Sequence, residues 1–113
     1  MSEKSFEPII DQYTHNRGGD AKIHTLLCFM CNEPLATYQK DGPGPLKRIY
    51  LDRIHEPTEL KTAKTIDDMQ NLHCRQCREL LGTPMVYARL FGEQRLAYRL
   101  YASAVKTEPP IEE

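Results

Sequence analysis

Between residues 23 and 105 the hydrophobic and polar positions alternate in short runs with a period of two, the spacing of strands rather than helices. Residues 23–29 are apolar enough for one strand and residues 34–39 for a second. Asp41-Gly42-Pro43-Gly44-Pro45 is the strongest turn signal in the chain. Residues 46–54 read as a third strand. Lys47, Ile49, Leu51 and Arg53 share one face, and Leu46, Arg48, Tyr50, Asp52 and Ile54 the other. Neither face is purely apolar, which suggests a strand exposed at one end or lying at an edge. Residues 56–70 are polar and irregular, with one helical turn beginning at Ile66. A hairpin is predicted from 83–91 and 95–102 around Gly92-Glu93-Gln94. In its second strand Leu96, Tyr98, Leu100 and Ala102 alternate with Ala97, Arg99, Tyr101 and Ser103, although the composition of 93–105 also permits a helix.

The ends differ in character. Residues 1–22 read as a flexible leader, broken by Pro8 and by the Asn16-Arg17-Gly18-Gly19-Asp20 cluster, with at most a short helix over 7–13. Residues 106–113 are acidic and proline-bearing, and read as a disordered tail. One domain, 23–105, lies between them. The expected fold is mainly β, with small antiparallel sheets.

Two segments change this picture. Cys28-Phe29-Met30-Cys31 and Cys74-Arg75-Gln76-Cys77 contain all four cysteines of the chain, each pair at C-x-x-C spacing. Two residues between thiolates let both sulfurs reach one ion from a single turn, and two such turns complete a tetrahedron. One structural Zn²⁺ per chain is expected, stapling a core that 113 residues can fill only modestly. Iron ranks lower because rubredoxin-type knuckles usually place glycine after the second cysteine. Asn32 suits the positive φ required there, whereas Arg78 suits it poorly. His24 and His73 lie near the knuckles and read first as ordinary strand or loop histidines. His55 reads as a surface residue, and His15 falls in the leader.

With these residues the chain resembles the β-tent superfamily, which includes Yippee-like proteins, the cereblon ligand-binding domain and methionine sulfoxide reductase B. The resemblance rests on Cys28-x-x-Cys31, a long insert, and Leu72-His73-Cys74-Arg75-Gln76-Cys77 followed by Leu80-Leu81-Gly82. It implies two antiparallel sheets meeting at a four-cysteine zinc site over residues 23–105. It does not carry over a ligand or an activity. The chain has no Trp for a cereblon-type cage and no cysteine after Cys77 for the reductase chemistry, and Arg78 stands where Yippee-like sequences place glycine. A zinc ribbon is the other architecture with two such knuckles.

Net charge is −1, so the whole chain carries no basic signature for nucleic acid. Locally the balance differs: residues 74–102 hold five arginines against two glutamates, a net +3. Lys47, Arg48, Arg53, Arg75, Arg78, Arg89 and Arg99 are the candidate nucleic-acid contacts, with tyrosines available for stacking. Otherwise this is a solvated strand face, and Tyr50, Tyr87, Tyr98 and Tyr101 are core or cross-strand aromatics. There is no nucleophile–base constellation, phosphate loop or open metal position, so nothing commits the chain to catalysis. No apolar run reaches the ~20 residues that span a bilayer. Reduced cysteines fit a cytoplasmic protein. The expected role is an interaction or adaptor module for a protein partner, with nucleic-acid binding as the alternative.

Overall fold

The computed structural model describes residues 21–41, 46–88 and 94–110. The predicted leader up to residue 20, the 42–45 turn, Arg89 and the hairpin tip fall outside these residues. The described chain forms two four-stranded antiparallel sheets. Its strands are β1 (Ala21–Cys28), β2 (Pro34–Asp41), β3 (Arg48–Tyr50), β4 (Ile54–Glu56), β5 (Leu72–His73), β6 (Leu80–Ala88), β7 (Gln94–Leu100) and β8 (Val105–Thr107). The first sheet has the order β4-β2-β1-β8 and the second β3-β7-β6-β5. Among the described residues there is no α-helix, only three short 3₁₀ turns.

The alternation in 94–100 yields strand β7, not a helix. Ala97 and Tyr98 are buried, and Tyr98 lies in the main core cluster with Ile49 and Leu81. β6 and β7 pair over seven positions, from Gly82↔Leu100 to Ala88↔Gln94. Gly82 is required at this crossing. A Cβ there would stand 2.7 Å from the Arg99 carbonyl oxygen, closer than real Cβ contacts allow.

The single strand expected over 46–54 is two strands in different sheets. β3 pairs with β7, a 3₁₀ turn over Leu51–Arg53 follows, and β4 pairs with β2. Strict alternation fails at this crossing because Leu51, Arg53 and Ile54 are all buried between the sheets. Leu51 and Ile54 join the apolar core, and Tyr38 Oη accepts a 2.9 Å hydrogen bond from the Tyr50 N–H, linking the first sheet to the end of β3.

The C-terminal boundary also moves. The chain returns from β7 through 101–104 to the first sheet, where β8 pairs with β1 through Leu26↔Thr107 and Cys28↔Val105. Glu108 N–H donates to the Thr25 carbonyl at 2.9 Å, and His24 Nδ1–H donates to the Glu108 carbonyl at 2.7 Å. Residues 106–108 therefore belong to the sheet edge rather than to a disordered tail. The open carbonyls and amides of β1 hold them there, which their acidic, proline-flanked composition conceals.

Candidate metal centre

The two knuckles are built alike. The first joins β1 to β2 and the second joins β5 to β6. In each, the leading cysteine N–H donates to the carbonyl five residues on: Cys28 to Glu33 at 2.9 Å, and Cys74 to Glu79 at 2.9 Å. In each, the residue four positions after that cysteine donates back to its carbonyl: Asn32 to Cys28 at 2.9 Å, and Arg78 to Cys74 at 2.8 Å. That returning turn needs a left-handed residue, and Asn32 and Arg78 supply it with φ of 65° and 68°. Arg78 adopts the conformation to which it is poorly suited, so the argument that ranked iron below zinc on this residue does not hold. His73 Nδ1–H donates to the Arg78 carbonyl at 3.2 Å and so braces the strained residue from β5.

The turns bring all four Sγ atoms within 4.8 Å of one another. Two of the contacts cross between knuckles, Cys28 to Cys77 at 3.6 Å and Cys31 to Cys74 at 3.5 Å. A disulfide requires about 2.05 Å, and all four cysteines are free. A tetrahedron with Zn–S bonds of ~2.3 Å has sulfur–sulfur edges of about 3.8 Å, close to what is observed. Cys28 and Cys74 are fully buried, Cys31 is half-buried and Cys77 is exposed, so the cluster is closed inward and reaches the surface at one corner.

The charge state of the free cluster follows from this crowding. Burial pushes the Cys74 thiol up, but the Cys77 and Gln76 N–H groups and the neighbouring thiols outweigh it and bring Cys74 down to about 7. At Cys31 the Glu33 backbone favours the thiolate, yet burial and the other three sulfurs push the group up to about 12. Cys77 is likewise raised, burial and the sulfurs of Cys28 and Cys74 outweighing the Glu79 backbone. Four thiolates cannot share so small a volume without a cation, and a soft dication supplies the missing charge.

The predicted basic residues do not converge. Arg53 is only 1% exposed, and its Nε donates to Asp41 Oδ2 at 2.6 Å, while Gln39 Nε2 donates to Asp41 Oδ1 at 2.9 Å. It faces the interior and is unavailable to a phosphate. Arg75 and Arg78 sit on the second knuckle, and Arg75 reaches across to Glu33 on the first at 3.5 Å. Lys47 is exposed just before β3, and Arg89 lies outside the described residues. Only Arg48 and Arg99 lie side by side, opposite one another on β3 and β7. The reading missed Arg95, which pairs with Asp52 at 2.6 and 3.0 Å and lies 3.8 Å over the Tyr50 ring. Only the β6–β7 register, which sets Arg95 opposite Tyr87, reveals it.

Among the described residues, His24, His55 and His73 lie on three separate strands, β1, β4 and β5. The Nδ1 atoms of His24 and His73 are occupied by backbone carbonyls. His55 is half-buried rather than on the surface, and burial, Lys61 and Arg53 lower its pKa. A groove of about 840 Å³ flanks the second knuckle, with Met69, Leu72 and Tyr98 on its floor and His73, Arg75 and Arg78 on its rim.

Fold and cluster together define a small, mainly β protein whose four-cysteine site joins two sheets and suits one metal ion. Comparison with protein-family models, curated proteins and solved structures finds no match to this chain.

Proposed function

We propose that the chain is a zinc-stapled interaction module, in which one Zn²⁺ held by Cys28, Cys31, Cys74 and Cys77 fixes two sheets for a partner to recognise. The carrying observation is that four sulfurs from knuckles in different sheets lie within 4.8 Å of one another. Four thiolates fill a tetrahedral ion, leaving no position for a water or substrate, so the metal is structural. Two antiparallel sheets that each present one knuckle are what the β-tent resemblance implies, and this supports the same reading. Phe29 and Met30, 52% and 68% exposed at the tip of the first knuckle, give an apolar contact point that suits a protein partner. Cysteines that serve as metal ligands rather than disulfides support a reducing, cytoplasmic setting for such a module.

Native mass spectrometry on freshly purified protein, with no metal added, tests this. A mass increase of one zinc per chain is the expected result. One iron per chain, with a coloured sample, would replace the metal but keep the site. A metal-free mass lighter by two or four protons would mean disulfides and overturn the reading.

A further inference from the structure

The outer face of the second sheet carries a pattern that folding alone disfavours. Arg48 on β3 stands directly opposite Arg99 on β7. Leu100 N–H donates to the Lys47 carbonyl at 3.0 Å one step along, so Arg48 and Arg99 form a non-hydrogen-bonded pair. In such pairs the side chains come closest, and like charges there destabilise the sheet. Thr83 on β6 faces Arg99 from the third strand. The same face continues through Tyr50, Ala97 and Met85, then through Arg95 and Tyr87. No Asp or Glu stands on this face among the described residues of β3, β6 and β7, and neither Arg48 nor Arg99 forms an ion pair among the described residues.

The aromatic part is rigid. Asp52 grips Arg95, whose guanidinium lies 3.8 Å over the Tyr50 ring. Tyr50 meets Tyr87 edge to face at 5.7 Å, and Arg48 lies 4.9 Å over Tyr87 while donating to Tyr50 Oη at 3.2 Å. Two arginines with no ion pair among the described residues, beside braced tyrosine rings on a pleated face, complement phosphates and unpaired bases together. A duplex, whose bases are stacked within, offers only the phosphates.

We propose that this face binds single-stranded nucleic acid, with Arg48 and Arg99 holding phosphates and Tyr50 and Tyr87 stacking bases. Arg95 is a positioning residue, acting through Tyr50. The proposal gives the module proposed above a second partner, on a different face from its apolar tip, and rests on that reading because the face exists only in the folded protein.

The test is fluorescence anisotropy of labelled oligouridine and oligothymidine with the full, metal-loaded chain, over a range of salt. Binding to either strand that weakens with salt and exceeds binding to a duplex is expected; a preference between the two reports the 2′-hydroxyl. Arg48→Gln with Arg99→Gln should weaken binding at least about tenfold and lower the salt slope by about two. Arg99→Gln and Arg99→Glu, which leave the Arg48 contacts with Tyr50 and Tyr87 in place, should melt no lower than the parent, because a like-charge contact is removed; a merely structural arginine would melt lower. Tyr87→Leu should weaken binding with the salt slope unchanged. The proposal is overturned by absence of binding at low salt, by binding that the double variant leaves intact, or by an acidic peptide that outcompetes the oligonucleotide. Zinc content of the same samples separates the two readings. Zinc-loaded protein that ignores oligonucleotides overturns the face alone, and folded, metal-free protein that binds them overturns the zinc staple alone.

Discussion

Asn32 and Arg78 occupy the same place in two knuckles 46 residues apart in sequence, with φ of 65° and 68° and matching hydrogen bonds to the carbonyls of Cys28 and Cys74. Only the first has a side chain that tolerates this conformation well. A left-handed non-glycine residue costs about 1–2 kcal/mol, while glycine costs about 0.4–1 kcal/mol through the unfolded chain. Arg78→Gly should therefore fall within about 1 kcal/mol of the parent or above it, and Arg78→Val should lose about 1–2 kcal/mol. Denaturant unfolding of the metal-loaded variants measures both. If valine is tolerated as well as glycine, the left-handed turn at Arg78 is wrong.

Removal of the metal should unfold the domain rather than silence it. The binding free energy of a structural zinc, about 10–16 kcal/mol in small domains, matches or exceeds the roughly 5–15 kcal/mol by which a domain is stable. A strong chelator, or Cys74→Ser, should abolish the cooperative melt followed by circular dichroism, and zinc should restore it only after chelation. Loading also has a pH signature. Cys31, pushed up to about 12, and Cys77, likewise raised, hold protons at neutral pH that the ion must displace. Zinc affinity should thus fall by at least about a hundredfold per pH unit on acidification. An unchanged melt for Cys74→Ser would sink the structural role.

The buried Arg53–Asp41 pair gives a separate handle, since both side chains are under a tenth exposed and Nε to Oδ2 is 2.6 Å. Asp41→Ala takes the carboxylate away from a guanidinium that cannot reach water, at a cost of about 3–5 kcal/mol. Asp41→Asn keeps an acceptor and should cost clearly less. Equal losses for the two would show that shape at this position matters and charge does not.

The knuckles were legible because ligand spacing is local, and β7 because Leu96, Tyr98 and Leu100 alternate cleanly with Ala97 and Arg99. The break after Tyr50 was not. A run of buried neighbours ends the alternation there, and Arg53 looks like a surface cation until Asp41, twelve residues back, is known to face it. β8 hid for a related reason. Val105–Thr107 is too short for any period to show, despite its two β-branched residues, and is held by the free edge of β1, a partner some eighty residues away. Arg78 failed differently: propensity argued against its backbone conformation, and the two hydrogen bonds around it prevailed. Local chemistry survives in a sequence, whereas register and pairing across the fold do not.

Tyr38 ties the sheets together, and its burial predicts an alkaline limit to stability. It is 2% exposed, and its Oη accepts the Tyr50 N–H at 2.9 Å. Burial pushes its pKa up, outweighing the Tyr50 N–H and Arg95, which both favour the phenolate. A raised folded pKa means that the native state keeps its proton where the unfolded chain, titrating near ~10, has begun to lose it. The contribution is complete below pH ~10 and is lost as pH rises from there through the folded value. Tyr38→Phe should cost about 1–3 kcal/mol at neutral pH by orphaning the Tyr50 N–H, yet its stability should fall less steeply above pH ~10. A residual slope is expected from Tyr98, which burial also raises. Denaturation midpoints of zinc-saturated parent and variant, measured from pH 8 to pH 11, decide the matter: converging curves support the buried phenol as the alkaline trigger, and parallel curves reject it.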